Sequence, residues 1–93
     1  MILDHSAKPA EDLEDVQKIR FFFRGDTDVV PCLVTWEALD RLEGGKAADR
    51  AERLERFEKH RSAIEVAARR KAVNANGIVT VNADETVQAA KGE

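Results

Sequence analysis

One stretch constrains this chain more than any other: residues 46–76, KAADRAERLERFEKHRSAIEVAARRKAVNAN. Ala47, Ala51, Leu54, Phe57, Ile64, Ala67 and Ala68 recur at spacings of three and four. That period lays an apolar stripe along one face of a helix. Asp49/Arg53, Glu52/Arg56 and Glu55/Lys59 stand four apart with the acid first. This is the favourable orientation, worth about 0.2–0.5 kcal/mol per pair in an isolated helix. Gly77 follows Asn76 and supplies a stop. The spacing predicts one continuous helix from Lys46 to Asn76, its alanine-rich side able to approach a sheet closely.

The sheet comes from upstream. Residues 17–24, QKIRFFFR, place Ile19, Phe21 and Phe23 on one face and Arg20, Phe22 and Arg24 on the other. A turn at Gly25–Asp28 leads into a returning strand, residues 29–35, with Val30, Cys32 and Val34 on one face. Pro31 lacks a donor, so it belongs at an edge or with its nitrogen turned from the partner strand. Thr35 reads as the N-cap of a short helix over 36–43, which Gly44-Gly45 ends. Trp36 at its start reads as a core anchor. Residues 77–82 form a third, β-branched strand, and Asp84 caps a last helical turn or two with Val87 facing inward. Residues 1–16, acidic and interrupted by Pro9, read as a flexible or loosely packed arm; Ile2 and Leu3 could pair onto a sheet edge.

The expected fold is therefore α+β: a β-hairpin plus a third antiparallel strand, packed against one long helix and a short helix. The order is ββααβ with a short C-terminal helical turn. At 93 residues this is a single domain over 17–90 with a frayed tail at 91–93, and a core this small would gain from a partner copy.

Chemistry is nearly absent from the motifs. There is no glycine-rich phosphate loop, dinucleotide fingerprint, CxxC or HExxH. One cysteine and two histidines do not make a zinc site, so no catalytic residue, metal or cofactor is expected. Cys32 lies in an apolar run and reads as a buried, inert thiol. The first residues lack the cationic flank and apolar core of a signal peptide, and no run is long enough to span a membrane. A reducing, cytoplasmic home is the expectation.

Three polar features remain. Arg61 continues the apolar stripe between Phe57 and Ile64, with His60 beside it. Its stem would cover the sheet while its guanidinium pairs with a carboxylate, or forms a rigid anion site. Residues 46–71 hold 9 Lys or Arg against 5 Asp or Glu, although the whole chain carries −3. Arg69, Arg70 and Lys71 make a basic helix end, favourable to the helix dipole and a weak candidate for nucleic acid. Phe22 faces away from its apolar neighbours, either beneath the N-terminal arm or, with Pro31, in an interface.

Taken together, IRFFFRG, VPCLVTWEALDRL, RFEKHRSAIEVAARRK and VTVNADE, in this order over residues 17–85, resemble the DUF1488 family of small bacterial proteins. The resemblance implies a small α+β fold and brings no activity, substrate, cofactor or catalytic residue. The leading expectation is a non-catalytic accessory or protein-interaction domain, as a homodimer or with a protein partner. The alternatives are nucleic-acid binding at the basic helix end and a small-anion or metabolite site at Arg61.

Overall fold

The two alternating runs do pair, and everything else is built on them. The computed structural model describes residues 4–6, 8–25, 29–72 and 78–92. Strands β3 (Lys18–Arg24) and β4 (Val29–Thr35) are antiparallel, in register from Lys18↔Thr35 to Arg24↔Val29. Most of the expected turn, residues 26–28, lies outside the described residues. Ile19, Phe21, Phe23, Cys32 and Val34 are fully buried on one face, as the alternation requires.

The N-terminal segment adds to this sheet where a loose arm is expected. Strand β1 (Asp4–His5) pairs with the end of β3, and β2 (Glu11–Leu13) with its start. A 3-10 turn at Glu14–Val16 follows. Ile2 and Leu3 lie outside the described residues. The pairing occupies a β3 edge whose backbone groups need partners.

Helix α1 (Trp36–Glu43) starts as its cap residue dictates: Thr35 Oγ1 accepts from the Ala38 N–H at 3.2 Å. It ends at Gly44, whose φ of 82° lies in the left-handed region that favours glycine.

The long helix is where the structure departs most from expectation. It is two helices, α2 (Arg50–Lys59) and α3 (Arg61–Ala72), separated at His60. It also starts later, because Asp49 serves as N-cap and accepts from the Glu52 N–H at 2.9 Å. No glycine or proline marks the break. Long-range contacts hold it instead: His60 Nε2 lies 2.9 Å from Glu43 Oε1, and Arg61 donates to the Ser6 carbonyl at 3.1 Å. Phe57 and Ile64 are both fully buried, one on each helix, whereas Ala51 is exposed. The stripe thus serves two helices that pack on different neighbours. The far end, residues 73–76, lies outside the described residues, as does Gly77.

The third strand, β5 (Val79–Val81), pairs with β4, and the pairing is parallel, Cys32↔Val79 to Val34↔Val81, not antiparallel as expected. Parallel neighbours need a long crossover, here α1 to α3. The sheet runs β1-β3-β4-β5 with β2 also beside β3.

The last element is a full helix, α4 (Ala83–Gly92), longer than the expected turn or two. Asn82, not Asp84, caps it. The Glu85 N–H donates to Asn82 Oδ1 at 3.0 Å and the Asn82 N–H to Glu85 Oε1 at 3.1 Å, a reciprocal capping box. Thr86 and Ala89 are fully buried, while Val87 is only half-buried. The Thr86 hydroxyl donates to the Asn82 carbonyl at 2.8 Å, which removes the cost of burying it.

All four helices contribute to one core with the inner sheet face: Leu39 from α1, Phe57 from α2, Ile64 and Ala68 from α3, Ala89 from α4. The Phe21 ring sits 5.7 Å from Phe23 and 5.3 Å from Phe57. The class is α+β, with the helices on one face of the sheet.

Candidate functional site

Among the described residues, that one-sided layering leaves the other face of the sheet without a helix. Strand alternation puts Lys18, Arg20, Phe22 and Arg24 of β3 there. On β4 it puts Val29, Pro31, Leu33 and Thr35, and on β5 Thr80. The register sets these as two adjacent rows: Arg20 beside Leu33, Phe22 beside Pro31, Arg24 beside Val29. A cationic row thus flanks an apolar row. Val29 is 44% exposed, while Pro31 and Leu33 are half-buried. Lys8 adds a further cation, its Nζ 4.4 Å above the Phe22 ring. Glu11 of β2 pairs with Arg20 at 2.7 Å, and the register of β1 sets Asp4 opposite Arg24. Arg20 Nε is buried without an acceptor among the described residues.

Of the two interface candidates, Phe22 is covered. It is 6% exposed, held under Lys8 of the N-terminal segment. Pro31 sits just before the point where β5 joins β4, so its missing donor falls where β4 has β3 alone beside it among the described residues.

The other candidates are scattered and mostly engaged. Arg61 donates to Glu65 and Glu58 at 3.1 Å each as well as to the Ser6 carbonyl, and two carboxylates offset its charge. Its guanidinium carbon lies 5.4 Å from the Phe57 ring centroid. His60 meets Glu43, which Lys59 also contacts. Hydrogen bonds from Lys59 and His60 hold the Glu43 carboxyl below its ordinary value. Arg69 covers the Phe23 ring at 5.1 Å. Lys71 donates to the Thr80 carbonyl at 2.7 Å and to Glu85 at 3.0 Å, placing a cation on the short strand β5. Arg70 is exposed in a shallow cleft beside Glu85 and Gln88. These groups do not converge on one point.

A second polar centre escaped the sequence reading. The Asp12 side chain is fully buried on the inner side of β2. It accepts from Trp36 Nε1 at 2.8 Å and from Arg53 Nε at 2.9 Å, and Arg53 Nη2 lies 2.9 Å away. The Arg53 guanidinium also stacks 3.8 Å from the Trp36 ring. Gln17, at φ 54°, turns the chain so that its carbonyl accepts from the Trp36 N–H at 3.0 Å. Trp36 is an anchor as expected, but through a carboxylate 24 residues upstream. A cleft of about 350 Å³ opens beside it, lined by Gln17, Trp36, Asp40, Lys46 and Arg53. Another of about 470 Å³ lies along α2, lined by Glu43, Asp49, Glu52, Glu55, Arg56 and Lys59. Both have mixed charge, and Asp12 and Arg53 already satisfy each other. Burial pushes the Cys32 thiol up to about 11, so it stays protonated and unreactive near neutral pH.

No helix among the described residues is long and apolar enough to cross a membrane. No curated protein matches this chain. A crystal structure of a protein of unknown function from the DUF1488 family, from Shewanella loihica PV-4, superposes with a TM-score of 0.75 at 19% sequence identity, over 85% of this chain and 90% of that one. At that identity the likeness concerns the fold. The family model for DUF1488, described as a protein of unknown function, matches residues 9–79, from the loop before β2 into β5. The chain belongs to the DUF1488 family of proteins of unknown function.

Proposed function

We propose that this chain is a non-catalytic protein-interaction domain whose partner docks on the helix-free face of the sheet. One observation carries the reading: the apolar row Val29, Pro31, Leu33, exposed at Val29 and half-buried at the other two, lies beside a cationic row on β3 with no helix over it among the described residues. Arg61 and Lys71, by contrast, already hold carboxylates, which weakens the anion and nucleic-acid readings.

Site-specific photo-crosslinking in cells tests this. p-Benzoylphenylalanine at Val29 or Leu33 should give a discrete protein adduct. The same group at Glu55, exposed on α2, should not. Equal adducts from both faces, or none from the sheet, would refute the proposal.

A further inference from the structure

The cleft beside Trp36 has no residue in common with the docking face proposed above. It lies between α1, α2 and the connection that joins them, and Gln17 closes one side. We infer that this cleft binds a free α-amino acid with an apolar side chain. Its volume of about 350 Å³ falls within the range of about 300–1,000 Å³ usual for small-ligand sites.

The polar groups on its wall are of both signs and keep unused bonding capacity. The Lys46 ammonium has no hydrogen bond or ion pair among the described residues. The Arg53 guanidinium turns Nε and Nη2 to Asp12, which offsets its charge, and leaves Nη1 without a partner among the described residues. Asp40 accepts through Oδ1 alone, from the Ala47 N–H and from Arg56 Nη1, both at 3.4 Å; Oδ2 accepts nothing among the described residues. Glu37, the other acid on the wall, is held by Arg41 at 3.2 Å. A simple anion would meet Asp40, and a simple cation would meet Lys46, like charge on like. A zwitterion suits both: its carboxylate accepts from Lys46 and Arg53 Nη1, and its ammonium donates to Asp40 Oδ2. Trp36 and Ala47 supply the apolar wall for its side chain.

The wall is also set before a ligand arrives. The Trp36 Nε1–H donates to the buried Asp12 at 2.8 Å, and the Arg53 guanidinium lies 3.8 Å from the ring centroid, so the indole is fixed. Gln17 is the one non-glycine residue with a positive φ among the described residues, and its carbonyl accepts from the Trp36 N–H. Backbone held in this sparsely populated region gathers at binding sites. Groups fixed in this way lower the ordering cost of binding.

Trp36 is the only tryptophan, so its fluorescence reads the cleft directly. L-leucine and L-phenylalanine are titrated separately into the full chain, and at least one should give a saturable change. The N-acetyl form of the binder lacks the ammonium, and its amide form lacks the carboxylate. Each should bind at least about tenfold more weakly, because a charge-assisted hydrogen bond goes with either end. Lys46→Ala, at an exposed residue with no bond to lose, should raise Kd about tenfold, and Asp40→Asn should do the same. If Asp40→Asn alters the circular dichroism melt, Lys46→Ala and the blocked forms decide. No saturable change from either amino acid up to about 20 mM would overturn the inference. So would equal affinity for a blocked form, or a Kd indifferent to Lys46→Ala. Each of these results would leave the docking face standing, since the two surfaces share no residue.

Discussion

Asp12→Ala should be among the most damaging single changes in this protein. The Asp12 side chain is fully buried, and the Arg53 side chain is only 13% exposed. Removing the carboxylate leaves the Arg53 guanidinium and the Trp36 indole N–H without their acceptor. Breaking a buried ion pair from one side costs about 3–5 kcal/mol, because the surviving charge stays desolvated. In a domain of this size each kcal/mol moves Tm by about 4–8 °C, so the melt should fall by about 12 °C or more. Urea titration followed by Trp36 fluorescence measures it, since Trp36 is the only tryptophan and sits at the affected spot. Two controls separate this mechanism from general damage. Arg50→Ala should cost less than about 1 kcal/mol, because Arg50 is 62% exposed and lies 3.9 Å from Asp12. Asp12→Leu with Arg53→Met removes both charges and should restore part of the loss, leaving about 1–3 kcal/mol for the unpaired indole N–H. An Asp12→Ala cost under 1 kcal/mol, or a double variant worse than the single, would refute the reasoning.

Cys32 should resist thiol reagents in the native protein at pH 8 and react fully in urea; rapid native labelling would contradict its burial. Its raised pKa also has a linkage consequence: stability is intact below the unfolded value of about 9 and falls as pH rises from there toward about 11, which alkaline melts can follow. Glu43 acts with the opposite sign. Its folded pKa lies below the ordinary 4.5, so its contribution is present above that value and is lost as pH falls through the folded pKa. Glu43→Gln should therefore flatten the acid limb of the stability profile without changing the limb above pH 7. Asn82→Ala removes the α4 cap and should cost about 1 kcal/mol, read as a shift of the urea midpoint.

Short-range signals were legible because the residues that make them are neighbours. Thr35 caps α1 through an amide three residues on, and Gly44 ends it through its own backbone freedom. The hairpin follows from two alternating runs across a short turn. Among the three pairs expected along the long helix, Glu52–Arg56 forms at 2.8 Å. The other two lose to distant partners: Asp49 caps α2, Arg53 turns to Asp12, and Lys59 to Glu43. A buried carboxylate outbids an exposed neighbour four residues away, because its pairing offsets its own desolvation. No periodicity window of the helix contains Asp12. The break at His60 was invisible for the same reason. Its residues have helical spacing, and the groups that meet the chain there are Glu43 on α1 and Ser6 before β2.

The candidate site divides along the same line. The cationic side of β3 was readable, since Arg20, Phe22 and Arg24 alternate with Ile19, Phe21 and Phe23. Whether that side faced helices or solvent was not readable, because it depends on where the helices settle. Once they all settle on the Phe21 side, an ordinary strand pattern becomes a two-row surface with no helix over it among the described residues.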